Sequence, residues 1–443
     1  MVASFLAPFF LAAFLQDAPL DDASPTLLIK AERLIVSPGE ELENVTVLVD
    51  QGRIVQIGKD VESPTDARTL EGKVVCAGFI DSWSTLGLEP VSVGEARANA
   101  ATRSADAVDR FRTQDAREEA LRGGVTAVRA QAAAQAAIGG TGTLLRTHGG
   151  ESLHDVVCLS ATVGITRGGR ASEIFSRIDE VGRLSAQLAK GKSYDAEQRE
   201  YRFALEEWEK AIAEKVEKLE KDFKKAKKAR DKKVKEAEEK GKEHKDEKYK
   251  EDKKPRAPKY SADSEVLAKV VRGEIPLIVE IHRYPELKAL LAAMKAYPNV
   301  RVVLAGATEA GPLANDIAAQ NISVIVWPGL LGDSRADEWA DHSLSLAATL
   351  AKSGVDVMIG SRGTANVRDL RMLASTAIGY GLDKDKALAA ITSVPARVLN
   401  SKGRLGTIRQ GADADLILCD GDPLDTTARV RYVIAGGDVV VEP

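Results

Sequence analysis

VDVMIGSRGTANVRDLRMLASTAIGYGLDKDKALAAITSVPARVLNSKGRLGTIRQGADADLILCDGDPL, residues 355–424, is the stretch that decides the fold. It opens on a short apolar run, VDVMIGS, continues into an amphipathic stretch, NVRDLRMLASTAIGYG, and ends on a β-rich run, ADLILCDGD. The same alternation extends upstream through HSLSLAATLAKSG, ISVIVWP, GPLANDIAAQ, VRVVLAGA, PELKALLAAMKAY and IPLIVEIH, and further back through AREEALRGGVTAVRA. Strands alternating with helical patterns of about 10–15 residues predict βα units around a parallel sheet. Many such units in succession predict an α/β fold of the (β/α)8, TIM-like barrel kind. Both chain ends have a different texture. LLIKAERLIV, NVTVLVDQGRIVQIG and RTLEGKVVCAGFID at the front, and ADLILCDGD with VRYVIAGGDVVVEP at the back, are β-rich runs separated by turn residues, with Gln51-Gly52 as a hairpin turn. The expected layout is therefore a barrel over 79–403 and a small β-sandwich formed by residues 26–78 and 404–443.

One segment breaks the pattern. From 192 to 259 Lys and Glu dominate, and Trp208, Ile212, Val216, Leu219, Phe223 and Ala226 recur at steps of three and four, which places them on one helix face. Glu206–Lys210 and Glu217–Lys221 are spaced to pair along that helix. The segment reads as a long charged helical insertion, coiled-coil-like, whose apolar stripe invites a protein partner or self-association through 200–240. Interleaved acids cancel most of the attraction to phosphate, which argues against nucleic acid.

With 443 residues, the chain can bury one large core and one smaller one. The formal net charge of -4 points to neither nucleic acid nor an acidic partner. Cys76, Cys158 and Cys419 are far apart in sequence, so they read as buried apolar side chains and not as disulfides or zinc ligands. Residues 2–15 form an apolar run too short to span a bilayer. They suit the core of a signal peptide ending near Ala18, which implies export to a periplasmic or other extracytoplasmic space, although no basic residue precedes the run and a cytoplasmic chain remains the alternative.

Three stretches, VVCAGFIDSWSTLGL at 74–88, IPLIVEIHRYPELKALLAAMKAYPNVRVVLAGATEA at 275–310 and the opening stretch at 355–424, together resemble the amidohydrolase superfamily, in particular its imidazolonepropionase-like and cyclic-amidohydrolase branch. The most specific signal is the AL-x-A-x-T-x-x-PA run followed by Gly406, Ile408, Gly411, Asp413, Ala414, Asp415, Leu416 and Gly421-Asp422-Pro423. The resemblance implies metal-dependent hydrolysis of non-peptide carbon–nitrogen bonds. It also implies a site at the barrel mouth built from His-x-His on strand one, a Lys or Glu, a His on each of strands five and six, and an Asp on strand eight. Such a metal turns water into a nucleophile near neutral pH, and the Asp takes its proton.

Carried over residue by residue, the motif changes where the chemistry should be. Trp83 and Thr85 stand at the two His positions of strand one, His282 at strand five, Gly306 at strand six, and Arg362 at the general-base position of strand eight. Indole cannot ligate, a lone threonine hydroxyl is a weak ligand, and arginine does not deprotonate in proteins. Glu280, two residues before His282, shares its barrel face by strand alternation and is the only acidic candidate. Two ligands fall short of the three of a catalytic zinc site.

Three readings stay open. A binding or assembly subunit without cofactor would use Trp83, Thr85, Glu280, His282, Gly306 and Arg362 as a pocket for a small anionic ligand. A divergent hydrolase would hold zinc or iron through His282 and Glu280. An interaction protein would work through its helical arm. Of the remaining histidines, His148 and His154 flank Glu151 around a Gly149-Gly150 turn, His244 lies in the charged segment, and His342 stands at a helix start. The glycine-rich run at 138–150 has no helix opening after it and so is not a dinucleotide fingerprint.

Overall fold

The computed structural model describes residues 25–62, 64–88, 98–131, 137–164, 174–238, 253–329, 343–399, 401 and 403–443. The apolar run at 2–15, His244 and His342 lie outside the described residues.

The two chain ends build one seven-stranded sheet in the order β15-β14-β13-β4-β1-β2-β3. Its strands are β1 (Leu27–Ser37), β2 (Glu40–Asp50), β3 (Arg53–Gly58), β4 (Arg68–Ala77), β13 (Leu416–Cys419), β14 (Val430–Ala435) and β15 (Asp438–Val441). The β2–β3 hairpin forms at Gln51 and Gly52, whose φ values of 47° and 75° are those a tight hairpin turn demands. The sheet rolls over its own core. Ile54 donates to the Ala412 carbonyl at 2.9 Å and Gly411 donates to that of Ile54 at 2.8 Å, so the residues leading into β13 pair with the far edge strand β3. Val47, Val49, Ile54, Val75, Leu416 and Ile434 fill the interior.

The second sheet has eight strands in the order β12-β11-β10-β9-β8-β7-β6-β5 and is the barrel. They are β5 (Phe79–Ser84), β6 (Val125–Ala130), β7 (Ile138–Arg146), β8 (Ser152–Thr162), β9 (Leu277–Ile281), β10 (Val302–Gly306), β11 (Ser323–Val326) and β12 (Val357–Ile359). Alternation sorts their side chains. Leu277, Val279, Ile281, Val302 and Leu304 face the helices, whereas Ile278, Val303, Ala305, Ile325 and Met358 fill the barrel interior. The helices packed outside include α1 (Gln114–Arg122), α3 (Ala262–Val271), α4 (Tyr284–Met294), α6 (Leu346–Lys352) and α7 (Leu370–Gly379).

The (β/α)8 expectation holds for strand number and order, with one departure. β7 runs antiparallel to both β6 and β8. Thr147–Gly150 is a tight turn between β7 and β8, and the glycines at 149 and 150 take φ near 65°. No helix fits into a connection that short.

The barrel is closed between β12 and β5 without a ladder. On the lower part of this seam, the Ala390 and Ile391 carbonyls accept from Ile359 N–H at 3.0 Å and Ile80 N–H at 2.7 Å. These two carbonyls lie at the junction of α8 (Lys384–Ala389) and α9 (Ser393–Val398), inside the AL-x-A-x-T-x-x-PA run. That run therefore supplies the backbone acceptors that plug the barrel. On the upper part, Asp81 Oδ1 accepts from Trp83 N–H and Ser361 N–H, both at 3.0 Å, and Arg362 N–H donates to the Trp83 carbonyl at 2.9 Å.

The GADAD run fastens sheet to barrel. Arg146 at the end of β7 reaches Asp413 at 2.9 Å and Asp415 at 3.1 Å, and Arg404 also holds Asp413 at 2.7 Å. Both aspartates are buried, and burial pushes the Asp415 carboxyl up even though Arg146 pulls it down.

The charged arm is continuous with the barrel's own helices. Sequence composition puts its start at Lys192, but helix α2 runs unbroken over Ile174–Glu238, 65 residues or about 100 Å. Its first part packs through Val181, Leu184, Leu188 and Tyr194. Gly191 allows α3 to approach: a Cβ there would stand 2.7 Å from the Leu267 Cβ. Arg272 on the barrel side clamps Asp195 at 2.9 Å. Beyond Tyr201 the described side chains are half-buried or exposed.

Candidate functional site at the barrel mouth

β5, β9, β10 and β12 run in one direction, so their C-terminal ends open onto one mouth. Trp83 and Thr85 lie at the end of β5, Glu280 in β9 with His282 just past it, Gly306 at the last position of β10, and Arg362 in the loop after β12. The fold thus places all six sequence-derived pocket residues at this end. Thr85 Oγ1 pairs with Thr364 Oγ1 at 2.9 Å across the seam.

Two residues that sequence reading missed organise the mouth. Trp327 directly follows β11, and its ring meets Trp83 edge-on at 5.8 Å and His282 at 5.7 Å with a 39° tilt. Arg129 stands on β6 and is fully buried. Each guanidinium lies over an indole: Arg129 Cζ is 4.6 Å from the Trp83 ring centre, and Arg362 Cζ is 4.9 Å from that of Trp327. A signal for Arg129 was present, since it is the one charge in the apolar run VTAVRA. Trp327 sits in ISVIVWP, where a large aromatic at a strand end reads as ordinary core.

Gly306 has no room for a side chain. Its φ is 79°, and a Cβ there would stand 2.6 Å from Trp327 Cζ3 and closer still to His282 Cε1. The two rings occupy the volume a side chain would need. His282 itself is oriented by Thr308, whose Oγ1 lies 2.6 Å from Nδ1, while Nε2 stands 3.7 Å from Glu280 Oε1. Arg362 takes a φ of 63°, a left-handed conformation that a non-glycine residue adopts only when its surroundings hold it there.

The electrostatics of the mouth are unusual for a metal-binding fold. Arg129 is held by neutral acceptors: Ser160 Oγ at 2.6 Å, Cys158 Sγ at 3.2 Å, the Ser82 carbonyl at 3.3 Å and Gln131 Oε1 at 3.5 Å. Among the described residues no carboxylate forms an ion pair with it. Burial pushes the Asp81 carboxyl up to about 6, against the opposing pull of hydrogen bonds from Ser361 and Trp83 and of the Arg129 charge. Asp81 Oδ2 and Trp327 Nε1 are buried and have no hydrogen-bond partner among the described residues.

The fold family is usually metal-dependent, and the residues present fit a metal poorly. Among the described residues no group of three or more His, Cys, Asp or Glu side chains converges on one point. Indole, hydroxyl, hydrogen and guanidinium stand at the positions that the resemblance assigns to ligands, Trp83, Thr85, Gly306 and Arg362, and the Arg362 guanidinium lies over the Trp327 ring that also meets His282. Elsewhere, His148 is exposed in the β7–β8 turn and His154 lies near the start of β8, at the barrel end opposite the mouth. Glu151 between them faces Arg146 at 3.6 Å. All three cysteines are buried and free.

The comparisons with known proteins agree with this architecture. Residues 306–441 match the model of the amidohydrolase family. The amidohydrolase tasK of Hapsidospora irregularis is 35% identical over 72 residues, a match spanning 16% of this chain and 7% of that protein's length. The structure of an amidohydrolase from Thermotoga maritima MSB8 is similar over 94% of this chain and 100% of its own, with a TM-score of 0.71 and 22% identity. A prolidase complexed with N-methylphosphonate-L-proline is similar over 94% of this chain and 100% of its own, with a TM-score of 0.54 and 16% identity. The A. niger ochratoxinase follows over 95% and 97%, with a TM-score of 0.52 and 14% identity. The structural likenesses establish a shared fold, and the family match runs from the end of β10 through β15, the part that carries both the seam plug and the GADAD latch. Over its last third this chain is thus similar in sequence to the amidohydrolase family, and over nearly its whole length it has the fold of the amidohydrolase structures.

Proposed function

We propose that this amidohydrolase-fold protein works as a metal-independent binding subunit, holding a small organic anion at its barrel mouth. The observation that carries this reading is the pair of guanidinium–indole stacks at the barrel mouth, Arg129 on Trp83 and Arg362 on Trp327, of which Trp83 and Arg362 stand at positions that the resemblance assigns to metal ligands. A guanidinium fork recognises a carboxylate bidentately, and the neighbouring indoles offer an apolar shelf for the body of the ligand. The backbone strain at Arg362 and the unpartnered Trp327 N–H support a site built for a ligand. The prolidase neighbour was solved with a phosphonate derivative of proline, so N-acylated amino acids are a sensible first probe class.

The test is titration with N-acetyl-L-proline and benzoate, followed by tryptophan fluorescence and calorimetry. Saturable binding that weakens at least tenfold in Arg362→Ala supports the reading; an unchanged response in that variant overturns it. A second reading rests on the 3.7 Å approach of Glu280 to His282: a divergent hydrolase with a single metal. One equivalent of zinc or iron in purified protein, lost in His282→Ala, would establish that reading instead.

A further inference from the structure

We infer that the foot of the barrel carries a second binding site, a cleft beside the β7–β8 turn that takes a small aromatic carboxylate. The cleft encloses about 390 Å3 between α1, the residues leading into it and the turn at Thr147–Gly150. That volume suits a ligand of one or two rings. Arg117 on α1 lines the cleft and is only 8% exposed. Its guanidinium donates to the Arg110 carbonyl at 2.5 Å, the Thr147 carbonyl at 3.1 Å and Thr113 Oγ1 at 3.4 Å. All three acceptors are neutral, and they use three of the five N–H donors. Among the described residues the other two have no acceptor, and no carboxylate forms an ion pair with Arg117. Burial and the nearby Arg110 charge pull the guanidinium below the ordinary arginine value, with Glu118 pulling the other way. A buried cation on neutral acceptors is costly, and an anion set against its spare donors lowers that cost.

The rest of the cleft selects an aromatic acid over a bare ion. Asp109 Oδ1 accepts from the Phe111 and Arg112 N–H groups, both at 2.9 Å, so the turn that carries Phe111 is fixed. The Phe111 ring is nonetheless 90% exposed, more than any other large hydrophobic side chain among the described residues. It lines the cleft together with the buried Leu121. An apolar ring held open beside a buried cation offers a face to a second ring. Arg110 lines the same cleft, is exposed and forms no ion pair among the described residues. Gly149 leaves the space clear: a Cβ there would meet nothing within 4 Å. Among the described residues the one acid lining the cleft is Glu118. It is engaged elsewhere, accepting from Gln114 Nε2 at 3.0 Å and facing Arg122 at 3.8 Å. Arg117 and Arg110 thus clamp the carboxylate, while Phe111 and Leu121 receive the ring. The site lies at the barrel end opposite Trp83, Trp327 and Arg362, and it does not depend on what the mouth binds.

The probe is 2-naphthoate, titrated by calorimetry into the full-length Arg362→Ala protein, whose mouth has lost its exposed cation. The expected result is saturable binding with a dissociation constant below about 1 mM, accompanied by slower amide exchange over residues 110–117 and 147–150. In that background Arg117→Gln is expected to weaken binding about tenfold. Arg110→Gln and Phe111→Ala stand at exposed positions that folding does not need, and each is expected to weaken it about threefold. Inorganic phosphate, which has no ring for Phe111, is expected to bind about tenfold more weakly than 2-naphthoate. Absence of binding at 1 mM, or binding unchanged in both Arg110→Gln and Phe111→Ala, overturns the inference. Phosphate binding as tight as that of 2-naphthoate overturns the aromatic assignment, and exchange slowed only around Trp83 and Trp327 would place the probe at the mouth and overturn the second site.

Discussion

Two arginines, one at each end of the barrel, solve opposite problems. Arg146 at the foot is neutralised by Asp413 and Asp415, with Arg404 completing the network. Arg129 at the mouth has the same charge and is fully buried where Arg146 is only half-buried, yet it rests on hydroxyl, thiol, amide and carbonyl acceptors and on an indole face. The charges at the foot join two layers, the barrel and the sheet of the chain ends. The mouth carries two cations stacked on rings. A scaffold can thus keep its closure and latch while the chemistry of its open end changes, because the residues that hold the barrel together are not the residues that face the ligand.

The comparison can be broken in four places. The largest effect is expected at the foot. Arg146→Met strands the buried Asp415 carboxylate, with Asp413 still held by Arg404, and should cost about 3–5 kcal/mol in chemical denaturation, whereas Arg129→Met strands no ion-paired carboxylate and should cost less than about 1.5 kcal/mol. Equal losses would remove the distinction between the two ends. Next, Gly306→Ala forces a Cβ into the His282 and Trp327 rings at a left-handed backbone and should cost about 2–3 kcal/mol, read as a lowered denaturation midpoint.

Third, Asp81 titrates at about 6 when folded, above its ordinary value. Its protonated form is the one the fold favours. The stability this provides is full below about pH 4, is lost as pH rises to about 6, and stays lost above that. The stability of the native protein relative to Asp81→Asn should fall by on the order of 3 kcal/mol across that interval. A difference that stays flat between pH 4 and 6 would mean that the carboxyl is ionised in the fold at ordinary values. The smallest effect on stability is expected for Arg362→Ala, within about 1 kcal/mol, although the same variant should lose most anion affinity.

The sequence made the framework legible because the framework repeats. Apolar runs such as VRVVLAG and VDVMIG alternate with amphipathic helices, and the GADAD and AL-x-A-x-T-x-x-PA runs are dense enough to recognise. Two features of the fold escaped. The antiparallel β7 is a register decision made by Gly149 and Gly150, and a strand's direction leaves no trace in its own pattern. The root of α2 is apolar and Gly-interrupted, so composition marks only the part that leaves the barrel, near Lys192, and misses Ile174. At the site, Trp83, His282 and Arg362 were found by position. Arg129 and Trp327 come from strands that carry no ligand in the family plan, so nothing directed attention to them until the strands converged.

The missing ladder between β5 and β12 makes the barrel a ring with a clasp. Seven of its joints are sewn by rows of backbone bonds, whereas the eighth is fastened by Asp81, Ser361 and the carbonyls of Ala390 and Ile391. A ring loosens first at its clasp, so native-state exchange of the Trp83, Ser361 and Arg362 amides should run ahead of the other strand ends. Any molecule gripped by Trp83 on one side and Arg362 on the other would be a pin through that clasp, and its binding would be written in how slowly those amides exchange.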